Sequence, residues 1–106
     1  MTDQATSQLA DRGEGRCALS GALTLESVPW LWKELQTLKL LSTAREADLS
    51  GLATSDSAGL ALLIAWRACC RSDGGDLVFA AVPERLMALA HLTDAEGLLQ
   101  AQAQSG

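Results

Sequence analysis

The chain has 106 residues, which is room for one domain when an average domain takes roughly 150. Its 8 Lys and Arg stand against 13 Asp and Glu, and the net charge of −5 opposes binding to nucleic acid, where affinity comes from neutralising phosphates. The longest apolar stretch, Ala58 to Trp66, falls well short of the about 20 residues that span a bilayer, and the polar opening Met1-Thr-Asp-Gln-Ala-Thr-Ser-Gln lacks the basic and apolar regions of a secretory signal, so a cytoplasmic protein is expected.

Residues 1–13 and 100–106 are polar and small and read as tails around a domain over 14–99. Arg16-Cys-Ala-Leu-Ser-Gly alternates weakly and reads as a short strand stopping at Gly21, with a second hairpin-like strand around Ala22 to Leu25. Ser27, able to cap, and Pro29 in the first turn then open a helix to Leu38. Its core face would carry Val28, Leu31, Trp32, Leu35 and Leu38, with Trp30 turned away.

Glu46 to Leu52 sits where a strand is needed between two helices. The next helix has the clearest boundaries in the chain: Ser55-Asp-Ser opens it, the run from Ala58 to Arg71 fills it, and Ser72-Asp-Gly-Gly stops it. Asp76 to Val82 holds β-formers closed by Pro83 and reads as a buried strand. Pro83 to Thr93 carries Leu86, Leu89, Ala90 and Thr93 at helical spacing, and Asp94 to Gln100 reads as a final short helix. Although 18 alanines and 20 leucines against three valines and one isoleucine favour helices, this alternation of strand and helix implies an α/β domain with parallel strands joined by crossover helices.

The central helix is apolar on two sides. One gathers Leu62, Leu63, Ala65, Trp66, Cys69 and Cys70; the other gathers Ser57, Leu60, Ala61, Ile64, Arg67, Ala68 and Arg71. A two-layer domain buries one face on its own sheet, so the stripe Ser57, Leu60, Ile64, Arg67 is expected to be exposed for a partner, the alternative being that loops or other helices cover it. Ser57 begins the helix, where free N–H groups suit either an anionic partner group or plain capping by Ser55, Asp56 or Ser57. The odd set Cys17, Cys69 and Cys70 has neither disulfide-framework nor zinc spacing and reads as small hydrophobes.

Asp48-Leu-Ser-Gly51, followed by Ser55-Asp-Ser-Ala-Gly-Leu60 leading into a helix, resembles the STAS domain, the fold of anti-sigma factor antagonists, over about Cys17 to Thr93. Ser27-Val-Pro, Gly59-Leu-Ala-Leu-Leu-Ile-Ala-Trp66 and Val82-Pro-Glu-Arg-Leu86 are most similar to the MlaB-like branch, whose members serve phospholipid-transport ABC complexes. The resemblance departs at Ala47 and Ser55, where branched apolar residues are usual. It implies a small mixed, largely parallel sheet backed by about four helices, with no catalysis, cofactor or metal. It also implies docking on an ABC transporter ATPase subunit (MlaF-like) held with a membrane permease, through Asp56, Ser57, Leu60, Ala61, Ile64 and Arg67. By position, Ser57 matches the residue that is phosphorylated in antagonists.

An enzyme is the weakest reading. No G-x-S-x-G elbow surrounds Ser57, no G-x-x-x-x-G-K-[ST] loop occurs, and no triad-like pattern includes the single histidine, His91. The stronger rival is an antagonist switched by phosphorylation of Ser57, which would add about −1.5 to −2 charge and eject its partner. A STAS-type dimerisation or ligand-sensing module is the third.

Overall fold

The computed structural model describes residues 7–93. In chain order the elements are β1 (Gln8–Gly13), β2 (Arg16–Leu23), α1 (Val28–Thr37), α2 (Leu40–Thr43), β3 (Glu46–Ser55), α3 (Ser57–Ser72), β4 (Val78–Ala80) and α4 (Glu84–Leu92). The four strands form one sheet in the order β1-β2-β3-β4. β1 is antiparallel to β2, and β2, β3 and β4 run parallel, so the sheet is mixed and largely parallel as expected.

Of the tail expected over 1–13, Gln8–Gly13 forms the strand β1 instead. Gln8–Gly13 folds back on β2 through a turn in which Gly13, Glu14 and Gly15 all take positive φ. Its one large apolar residue, Leu9, sits opposite Leu19 and packs on the core. An edge strand with one such anchor shows no alternation strong enough to separate it from a polar tail. The hairpin is therefore β1–β2, and the separate strand expected around Ala22 to Leu25 is the end of β2. Gly21, expected to stop that strand, instead adopts φ +82 at a register shift against β3, after which β2 continues to Leu23. A glycine inside a strand accommodates such a bulge without a Cβ clash.

β3 runs three residues beyond the expected Leu52 and is one of the two inner strands, paired on both sides near its start. Ala47 lies between Cys17 and Phe79 in the register, all three on the buried face. Phe79 thus supplies volume that a branched residue at position 47 would have supplied. β4 is shorter than expected, because Ala81 takes φ +56 and turns the chain out of the sheet.

The helices cover the face that carries Leu19, Leu23, Leu49 and Phe79, all buried with Leu31, Leu35, Leu62, Leu63, Trp66 and Leu86. Trp66 donates its Nε1–H to the Leu40 carbonyl at 2.9 Å and meets Phe79 edge to face at 6.2 Å. α2, absent from the sequence reading, exists because Lys39 takes φ +63 after α1 and swings Leu40 inward. The same reversal leaves Leu38 exposed, against its expected place on the core face. Ser27 precedes α1 but does not cap it; its hydroxyl accepts from the Thr24 N–H and donates back to the Ala22 carbonyl, tightening the loop. Cys17 and Cys70 are buried and all three thiols are free; burial foremost pushes the Cys17 thiol up to about 12. Thr93 is exposed, off the stripe of Leu86 and Ala90. The helix expected over Asp94 to Gln100 lies outside the described residues.

Candidate functional site

The C-terminal ends of the parallel strands β2 and β3 converge on the start of α3, the end at which open α/β sheets present their sites. Asp56 organises this corner. With extended backbone (φ −139°, ψ −174°) it caps α3, Oδ1 accepting from the Gly59 N–H at 3.0 Å. Its Oδ2 accepts from the Leu25 N–H at 3.0 Å, and its own N–H donates to the Leu23 carbonyl at 3.2 Å. One carboxylate thus fastens the β2–α1 loop to the helix. The Leu25 N–H foremost, and the Gly59 and Ala58 N–H groups after it, hold the Asp56 carboxyl below its ordinary range although burial works against them. Gly59 completes the joint: a Cβ there would collide with the Leu23 carbonyl oxygen.

Ser57, the first helical residue, is exposed, and its hydroxyl makes no hydrogen bond to the described residues. Capping therefore falls to Asp56, which leaves the serine free for another molecule. Ala61 is exposed, and Ile64 is half-buried against the core.

Leu60 and Arg67 depart from the expected exposed stripe: both are buried. Ala65 departs the other way, from the expected core face to the surface, and Cys69 is only half-buried. The physical reason is that α3 packs against three helices, α1, α2 and α4, as well as the sheet beneath. A helix set in such a groove buries a wider arc than a helix lying on a sheet alone. Arg67 is tolerated inside because Asp76 takes its Nε and Nη2 at 3.1 and 3.3 Å. For Asp76, burial pushes the carboxyl up, but the Leu77 N–H and Arg67 outweigh it and the net direction is down.

The surface arc of α3 is accordingly Ser57, Ala61, Ala65 and Ala68, with no charged residue before Arg71. Two large apolar side chains outside the expected site residues are exposed on the loop and helix that precede β3. Leu25, on the loop that Asp56 holds, is 69% exposed, and Trp30 of α1 is 43% exposed. Trp30 lines a groove of about 450 Å³ with Ser7, Ala22, Thr24, Glu26, Ser27 and Thr54. The helical spacing that turns Trp30 off the core was the available signal for it; nothing in the sequence marks Leu25. Among the described residues, no group of three His, Cys, Asp or Glu is placed to hold a metal, and no helix is long and apolar enough to cross a membrane.

The family described as "Mlab, STAS domain" matches residues 7–100. The chain belongs to the STAS family. A STAS fold is also what the solved structures show: the unphosphorylated anti-sigma factor antagonist SpoIIAA is similar with a TM-score of 0.68 over 89% of this chain and 85% of that one, at 12% identity. No curated protein matches the sequence. In this STAS domain the joint at Asp56, the free Ser57 hydroxyl and the uncharged arc of α3 form one continuous run of residues along the helix.

Proposed function

We propose that this STAS domain is a non-catalytic subunit that docks on the cytoplasmic ATPase of an ABC-type phospholipid transporter and supports its assembly and activity. The observation that carries the reading is the surface arc of α3, uncharged from Ser57 through Ala68. The solvent face of an amphipathic helix is ordinarily charged and polar, and removal of charge from an exposed patch is the compositional mark of the centre of an interface. Alanines make that arc flat and cost almost no side-chain entropy when covered. Leu25 adds an apolar anchor at the helix start, and the Ser57 hydroxyl adds one directional hydrogen bond. The Mlab description of the matching family supports the transporter as the setting. The domain itself would sit in the cytoplasm, held at the inner membrane through the ATPase and its permease.

A second reading has its own support in the likeness to SpoIIAA and in the exposed, unbonded hydroxyl of Ser57: an antagonist whose partner is released when Ser57 is phosphorylated. One experiment separates the two. The full chain is expressed in its native host and purified under native conditions, and its partners and the state of Ser57 are read by mass spectrometry. Stoichiometric recovery of an ABC ATPase with unmodified Ser57 supports the transporter reading. Recovery of a kinase with phosphate on Ser57 replaces it with the antagonist.

A further inference from the structure

The far end of α3 holds a second feature, which meets the proposed docking arc at Ala68. Arg67 is 93% buried at its side chain, and its only hydrogen bonds among the described residues are the paired contacts of Nε and Nη2 with Asp76. Its Nη1 carries two further N–H donors that no described group accepts. A buried charged donor left without an acceptor is costly. Beside it lies a cleft of about 300 Å³ lined by Ile64, Arg67, Ala68 and Arg71. Arg71, one turn on in the last turn of the helix, makes no direct side-chain hydrogen bond with the described residues, although its charge helps hold the Asp76 carboxyl down. Two guanidiniums against the single carboxylate of Asp76 leave the cleft with one positive charge, within a chain whose net charge is −5.

We propose that this cleft is an oxyanion site, in which Arg67 Nη1 and the Arg71 guanidinium hold the oxygens of a phosphate or carboxylate group. Asp76 fixes Arg67 in place by taking one edge of its fork and leaving Nη1 free, and arginine is suited to this geometry because its donors lie in a rigid plane. Ile64 and Ala68 form an apolar floor that strengthens the charge contacts by excluding water. Asp76 and the negative end of the helix dipole both oppose an anion, so binding in the millimolar range is expected. Arg67 lies about 15 Å along the helix from Ser57, at 1.5 Å for each of the ten residue steps that separate them, and cannot share a ligand with the helix start.

The test is a titration of the isotope-labelled full chain with inorganic phosphate, and separately with acetate, at constant ionic strength, followed by amide and arginine side-chain NMR shifts. Saturable shifts are expected in residues 64–71 and at Asp76 and Leu77. Arg71→Gln, an exposed substitution, should weaken phosphate binding about tenfold while keeping the spectrum of the folded domain, because it removes charge-assisted hydrogen bonds. Ser57→Ala should leave the affinity unchanged. A response to phosphate alone assigns a tetrahedral anion, and a response to both assigns an oxyanion more broadly; either supports the site. Absence of saturable shifts, equal affinity in Arg71→Gln and the native chain, or shifts centred on Ser57 to Leu60 would overturn it.

Discussion

Helix α3 carries two arcs that differ less in polarity than in size. The inward arc holds Leu60, Leu62, Leu63, Trp66, Arg67 and Cys70, all buried, whereas the outward arc holds Ser57, Ala61, Ala65 and Ala68. Apolar residues on both sides serve different physical ends. Large side chains inside provide area removed from water and dense packing, while small ones outside leave a smooth surface that contributes little to folding. The difference teaches that on this helix volume, and not hydropathy, separates what stabilises the domain from what another molecule can cover.

The sharpest way to break the comparison is at Trp66. Its ring is fully buried against Phe79, and its Nε1–H bonds the Leu40 carbonyl, so Trp66→Ala should cost about 3–5 kcal/mol in urea unfolding. An unfolding midpoint equal to that of the native chain would show that the inward arc has been misassigned. Gly59→Ala comes next. Its Cβ would strike the backbone carbonyl of Leu23, which cannot rotate away, and a loss of about 1–3 kcal/mol is expected. A neutral effect would mean that α3 can shift away from β2.

Asp56→Asn should cost less, about 1–2 kcal/mol at neutral pH, because one amide oxygen cannot accept from Gly59 and Leu25 at once. The variant also has a pH signature. The folded carboxyl titrates below its ordinary value, so its contribution is fully present above the unfolded value near 3.9 and is lost as pH falls through the lower folded value. The urea midpoints of the native chain and of Asp56→Asn should therefore converge as pH drops below about 4. A constant gap between them down to acid pH would detach Asp56 from the loop it is seen to hold.

How far the sequence could be read follows the same division. The inward residues Leu62, Leu63 and Trp66 were legible because a long helix repeats its pattern over several turns. The order of elements and the STAS resemblance through Asp48 to Leu60 were legible too, since caps and glycines punctuate that stretch. β1 was not, because one leucine in an edge strand makes no pattern. Leu60 and Arg67 fall outside the expected core face because helical periodicity locates the middle of a buried arc but not its width, which depends on α1, α2 and α4 packing alongside. Asp56 was legible as a cap, whereas its grip on Leu25, 31 residues away in sequence, requires the tertiary structure.

The outward arc should respond to mutation in the opposite manner, and Ala65 gives the cleanest contrast. It is exposed, sits one turn below Ala61 and one turn above Cys69, and has no charged neighbour on its arc. Ala65→Glu places a good helix former in solvent, so the stability of the isolated domain should change by no more than about 0.5 kcal/mol. In a complex covering this arc, the same carboxylate would be desolvated against alanines with no cation of its own arc to meet it, a burial that costs several kcal/mol. Binding should therefore fall beyond detection in co-purification with the ATPase, while the unfolding curve stays in place. Ile64→Asp is a poorer probe, since Ile64 is half-buried against the core and would mix folding with binding. Ser57→Ala should be milder than either, removing about 0.5–1.5 kcal/mol of one hydrogen bond. Retained co-purification by Ala65→Glu would place the partner elsewhere, and the exposed pair Leu25 and Trp30 would then be the surface to mutate.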